Sequence, residues 1–444
     1  MLASVDRRLR TDRPHVGPRR KSVRSDLRAS MGDSAAFSVM VGVGETYLPA
    51  FALAAGLGEV AAGLVSTVPL LMGSVLQLVA PLGVRWLQSH RRWIVLCVVC
   101  QATSFLPLAA AAAMGQVPGP LVFCAAAIYW GSGLASGPAW NTWMGGVVPQ
   151  RVRSRYFARR TRLGHAGVLV GFAAAGLGLH FGADYAPILD VFAITFLAAA
   201  ICRYISAAFL YHQNEADDPI SEQRSVPLRE LCKRLGRKTD GALLLYFLAV
   251  QCAVQISGPY FSPYMLRHLQ LSYAQFVVLV AAAFVGRIVA MPMLGAFAGR
   301  YGVRALLWLG GIGIVPLSGA WLVSSDFTYL IGLQVTVGVL WGSYELAVAL
   351  LFLEAIDIRE RTSVLTKYNV AHAGCTAFGS LMAGAALTYF GKTPENYQML
   401  FAVSTIARLA ALVLLWRVPS GASTSETVSI RLEQSSPARE RIAA

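Results

Sequence analysis

Trp130-Gly131-Ser132, inside a long apolar run, returns as Trp341-Gly342-Ser343 inside another, an offset of 211 residues (341 less 130). Each copy leads into a basic loop, Arg151-Val152-Arg153-Ser154 in one case and Arg359-Glu360-Arg361-Thr362 in the other. A His-Ala-Gly follows both, at His165-Ala166-Gly167 and at His372-Ala373-Gly374, and Ile201-Cys202-Arg203 matches Ile406-Ala407-Arg408. Matches clustered near one offset mean an internal duplication of about half the chain, and a parallel repeat built from apolar segments is a common plan for membrane carriers.

The rest of the chain supports a membrane setting. Hydrophobic residues make up 56% and charged residues 14% of the 444, and the mean hydropathy is +0.55, too apolar for a water-soluble protein of this length. Stretches of about 20 apolar residues, enough to cross the hydrocarbon, fall near 33–55, 61–83, 93–115, 119–147, 164–184 and 187–211. A second six fall near 241–264, 273–298, 304–323, 328–354, 368–390 and 397–416. The predicted fold class is therefore an all-α membrane protein with twelve transmembrane helices in two pseudo-symmetric six-helix bundles. Its divisions are a basic tail (1–32), an N-terminal bundle (33–212), a middle loop (213–239), a C-terminal bundle (240–417) and a disordered Ser/Thr-rich tail (418–444).

The formal charge of +15 is explained by where Lys and Arg stand. They crowd the N-terminal segment from Arg7 to Arg28, the even-numbered connections and the middle loop, while the opposite side carries only Arg267 and Lys392. Basic short loops stay on the cytoplasmic side, so both termini are expected there, in a plasma membrane of the bacterial inner type. The excess is then a topology signal, and no nucleic-acid partner is expected. The first thirty residues lack the apolar core of a cleaved signal peptide. Seven cysteines lie mostly within spans, and Cys97 with Cys100 has no second pair or nearby His, so packing is expected of them and neither metal nor cofactor. No phosphate-binding G-x-x-x-x-G-K-[ST] loop is present.

With twelve spans, six plus six, and a long middle loop, the chain resembles the major facilitator superfamily of secondary transporters. That family carries G-x-x-x-D-R-x-G-R-[KR] after its second and eighth spans. Here the later copy reads Gly295-Ala296-Phe297-Ala298-Gly299-Arg300-Tyr301-Gly302-Val303-Arg304. Gly295, Arg300, Gly302 and Arg304 match as a gating loop, and Gly299 replaces the acid. The resemblance implies that the acid's clamp is lost or made by other residues, with Glu354 and Asp357 as candidates. It also implies that the first, fourth, seventh and tenth spans line a central path.

A charge in the bilayer centre costs roughly 2.5–3.5 kcal/mol on insertion scales, so such groups face cavities or partners. Five are found: Glu45, Arg203, Arg287, Glu345 and Arg408. Glu45 and Glu345, on the first and tenth spans, are the candidates for proton binding and release; the alternative is an acid paired to fix helix packing. Arg203 and Arg408 are expected to snorkel to headgroups, and Arg287 to neutralise an acid or receive an anionic solute. Tyr47, Trp130, Trp140, Asn141, Gln251, Gln255, Tyr260, Trp341 and Tyr344 complete the candidate lining. Gln251 and Gln255 share a helix face that Pro259 interrupts. Such a lining suits a modest, partly apolar organic solute, although interhelical packing explains any one of these residues as well. His165 and His372 are expected to cap or pack.

The reading is a monomeric secondary transporter working by alternating access on a small-molecule substrate in a lipid bilayer, with protons as candidate coupling ions and no enzymatic activity. A sensor or assembly protein that retains the fold is the alternative, and a lipid-modifying enzyme, for which no nucleophile or metal constellation is visible, is a third.

Overall fold

The structure, a computed structural model, describes residues 23–215, 224–234 and 239–416. The expected disordered tail 418–444 and most of the basic N-terminal segment lie outside the described residues. Within them every regular element is helical. The first span is α1 (Val23–Val43), a 3-10 turn (Glu45–Tyr47) and α2 (Leu48–Ala54); the second is α3 (Gly58–Leu76) continued by α4 (Ala80–Leu87). The third is α5 (His90–Thr103) with α6 (Phe105–Ala113). Then come α7 (Gly119–Val147), α8 (Arg153–Gly182) and α9 (Ile188–Tyr211). The short α10 (Leu228–Arg234) lies in the middle connection.

In the second half, α11 (Thr239–Ser257), a 3-10 turn (Gly258–Tyr260), α12 (Phe261–Pro263) and a π-helical turn (Tyr264–His268) make the seventh span. It is followed by α13 (Tyr273–Tyr301), α14 (Val303–Gly313), α15 (Phe327–Ala355), α16 (Ile358–Phe390) and α17 (Pro394–Trp416). Eleven of these units are long and apolar enough to cross a membrane. The ninth position is broken: α14 stops at Gly313, and a 3-10 turn, Gly319–Leu322, follows Pro316, whose ring cannot continue the helix. The first helix also starts ten residues before the expected 33, at Val23, which carries two acids, Asp26 and Asp33, into its buried face.

One apolar core lies within the N-terminal half around Phe51, Phe105, Phe192 and Phe196, and a larger one around Tyr246, Phe247, Leu350 and Phe401 fills the C-terminal half and runs into α7 and α8 at Met144 and Phe157. Outward, Trp86, Ile194, Leu381 and Met293 expose most of their surface, as helices bathed in lipid do. Helix contacts depend on glycine. A Cβ on Gly42 would collide with the backbone of Val168 and Phe172 in α8, and one on Gly338 with the carbonyl of Ala283 in α13, the close approach that small residues allow between membrane helices.

The duplication is visible in these elements. The 3-10 break in the first span begins at Glu45 and that in the seventh at Gly258, 213 residues apart (258 less 45). Beyond the breaks, Tyr47 donates to the Phe172 carbonyl (2.7 Å) and Tyr260 donates to that of Ser380 (2.6 Å). The paired basic loops serve one purpose. Arg153 donates to the Gly145 and Val148 carbonyls at the end of α7 (3.0 and 3.3 Å), and Arg361 to those of Leu353 and Ile356 at the end of α15 (both 2.9 Å). A cation on the last carbonyls satisfies acceptors the helix leaves open and complements its dipole.

Candidate functional site

The halves meet at the ends that carry the basic loops. The Thr142 and Thr362 hydroxyls are hydrogen-bonded at 2.7 Å, and the Asn369 amide donates to Gln77 at 3.1 Å. Gly295 in α13 faces Ala158 and Ser154 in α8, so close that a Cβ would clash, and Gly145 leaves room for the Arg361 guanidinium of the other half. Deeper along the same helices, the Glu345 carboxylate on α15 lies 3.3 Å from Arg287 Nη1 on α13 of its own half and 3.6 Å from His165 Nε2 on α8 of the other half. The Glu345 side chain remains 40% exposed where the two halves meet. His165, expected only to cap or pack, thus lies beside a carboxylate of the other half, while its repeat mate His372 lies against the Tyr368 ring.

Glu45 occupies a different place, a cavity of about 270 Å³ within the N-terminal half. Trp130, Trp140, Phe37, Asp33, Arg160 and Arg203 also line it. The Tyr129 hydroxyl donates to the Glu45 carboxylate. Asp33 accepts from Arg160 (2.7 Å) and from Ser206 (2.7 Å), and Arg203 donates to Ser206 and to Gln101 (both 2.8 Å). The two guanidiniums also lie over aromatic rings, Arg160 4.2 Å from the Trp140 centroid and Arg203 4.4 Å from that of Phe37. Two acids and two arginines therefore face one another inside a single bundle, and the indole N–H groups of Trp130 and Trp140 are buried without a partner among the described residues.

The other candidates scatter. Trp341 borders a smaller cavity in the C-terminal half, of about 220 Å³, with Arg408. Tyr344 is buried in the core, edge-on to Trp341 at 5.7 Å and packed against Tyr246 and Phe247. Asn141 donates to its own helix at Gly137 (3.0 Å), and Gln251 to Thr376 on α16 (2.8 Å). Gln255 packs on Gly379. Tyr47 and Tyr260 spend their hydroxyls on the backbone bonds above; Tyr260 also borders a cavity of about 520 Å³ with Arg267 and Lys392. In the gating loop, Arg300 stacks on Tyr301 at 5.3 Å, Gly302 adopts φ +90°, and Arg304 and Arg153 act electrostatically on Glu354. Asp357 instead caps α16, accepting from the Arg359 amide at 2.8 Å.

Snorkelling is overturned for Arg203 and Arg408, which are 4% and 3% exposed and hydrogen-bonded inside their bundles. Their helices turn these positions inward, where polar partners replace headgroups. Asp33 escaped the sequence reading because it stood at the assumed start of the first span; only the extension of α1 back to Val23 puts it inside the bundle.

Two apolar helical halves, in contact near the basic loops, define an all-helical fold built for a membrane. The Major Facilitator Superfamily model matches residues 242–440, the last 24 of which are outside the described residues. Among solved structures, a bacterial homologue of the iron transporter ferroportin in the outward-facing state aligns over 90% of this chain and 99% of its own, at 14% identity and a TM-score of 0.66. The proton:xylose symporter XylE does so over 89% and 96%, at 14% and 0.66. FucP in the outward conformation covers 89% and 99%, at 11% and 0.68. No curated protein matches the sequence. The sequence signature in the second half matches the Major Facilitator Superfamily model, and over the whole length the chain shares the fold of these solved transporters.

Proposed function

We propose that the chain is a secondary transporter that moves a small organic solute by alternating access, and that this structure is its outward-facing state. Cytoplasmic placement of the basic loops follows from the charge asymmetry, and the contacts between the halves gather on that side. The observation that carries the reading is the Glu345 group. Glu345, paired with Arg287 of its own half, reaches across to His165 of the other; protonating the acid removes the attraction that crosses the boundary, and the halves can part. Proton occupancy and access are then linked at one residue, as coupled transport requires. Glu45, with its two tryptophans, is the second acid on the path and a candidate solute contact.

Proteoliposomes loaded with a metabolite panel test this. Substrate-dependent uptake driven by an inward proton gradient is expected. Glu345→Gln is expected to cut gradient-driven uptake at least about tenfold, equivalent to about 1.4 kcal/mol, while counterflow exchange persists. Uptake by Glu345→Gln with full gradient dependence would sink the coupling role.

A further inference from the structure

The two cavities described above are a pseudo-symmetric pair. Trp130 and Arg203 line one, and their repeat mates Trp341 and Arg408 line the other. The third corner differs. Glu45 borders the first cavity, and Gly258, which begins the matching 3-10 break, borders the second. At the same offset of 213 residues, Asp33 of the first half corresponds to Tyr246 of the second. The second cavity therefore keeps its arginine and has lost both carboxylates.

Arg408 shows the consequence. It is 3% exposed, and its hydrogen bonds go to neutral acceptors, the Ile314 carbonyl (2.9 Å) and Ser257 Oγ (3.0 Å). Its Nε has no partner, and no carboxylate of the described residues forms an ion pair with it. A full positive charge in a low-dielectric interior calls for a counter-charge. Around it lie three serine hydroxyls, Ser257, Ser318 and Ser404, 3.0 to 3.4 Å from one another. Their hydrogens can rotate toward an incoming acceptor. Ser318 and Gln334 border the cavity too.

We propose that the C-terminal half binds a small monovalent anion, a halide or the carboxylate of an organic acid, against Arg408 in this cavity, where the Glu45 carboxylate stands in the other half. The anion supplies from solution the charge that Gly258 does not carry. The site depends on the geometry of the bundle, and a binding measurement tests it apart from transport.

The purified full-length protein is melted at constant ionic strength in a bulky sulfonate buffer, with chloride or acetate titrated in. A ligand that binds the folded state raises the melting temperature saturably; a rise of roughly 2 °C is expected. Arg408→Gln should abolish the response. Gly258→Asp, whose new Cβ would meet only the flexible end of Gln255 at 3.3 Å, should melt without added anion at or above the temperature of the anion-saturated wild type, and should not respond further. If Arg408→Gln does not fold, Gly258→Asp decides alone. A response to chloride assigns an inorganic ion, and a response confined to acetate assigns an organic acid; both support the site. A wild type indifferent to both anions, or a Gly258→Asp protein that responds like the wild type, overturns it.

Discussion

At the scale of single residues, the buried charges fall into three kinds. Asp33 and Arg160 are matched to each other, Glu345 is matched across a movable boundary, and Arg408 is unmatched. These differences predict different phenotypes. Asp33→Asn leaves Arg160 without its ion-pair acid, and breaking a buried pair costs about 3–5 kcal/mol. Its expected outcome is a lower melting temperature and poor yield, with no selective change in proton dependence. Glu345 is partly exposed, so Glu345→Gln should retain near-normal melting while losing coupling. Thermal melts beside uptake assays separate the two, and an Asp33→Asn protein that melts like the wild type would show that the pair carries no weight.

Among helices, close approach and capping decide what can change. Gly338→Ala drives a methyl into the Ala283 carbonyl, and overpacking costs about 1–3 kcal/mol; a lower melting temperature in detergent checks it. The middle connection offers a pH test. Arg224 and Arg234 bridge Glu230 on α10 to Glu360 on α16, tying the linker to the C-terminal half. The hydrogen bond from Arg234 holds the Glu230 carboxyl below the ordinary carboxylate range. A depressed folded value means that this stabilisation is present above the unfolded pKa of about 4.3 and is lost as pH falls through the folded one. Amide exchange in α10 should therefore accelerate as pH drops below about 4, after correction for intrinsic rates. Arg234→Ala should produce the same loosening at neutral pH.

For the whole molecule, the closed side is the lever. Thr142 and Thr362 are near enough for a disulfide, given their 2.7 Å oxygen separation and the usual Cβ spacing of about 3.5–4.5 Å. The double variant Thr142→Cys, Thr362→Cys should lose uptake on oxidation and recover it on reduction, because one access state is then fixed. Transport that continues in the fully cross-linked protein would exclude opening at this end.

The apolar runs, the repeat and the paired basic loops were legible because burial in lipid imposes length and composition on each span independently of its neighbours, and because a duplicated residue keeps its local task, as Arg153 and Arg361 do at two helix ends. What could not be read was which buried polar groups meet. Glu345 with His165, 180 residues apart (345 less 165), and Asp33 with Ser206 are joined only by how the helices pack. A one-residue change in helix phase turns a side chain by about 100°, enough to put Tyr344 in the core while Glu345 reaches the gap between the halves. Composition and periodicity determined the membrane fold; the angular setting of each helix, fixed by glycine contacts and the breaks in the first and seventh spans, decided the chemistry.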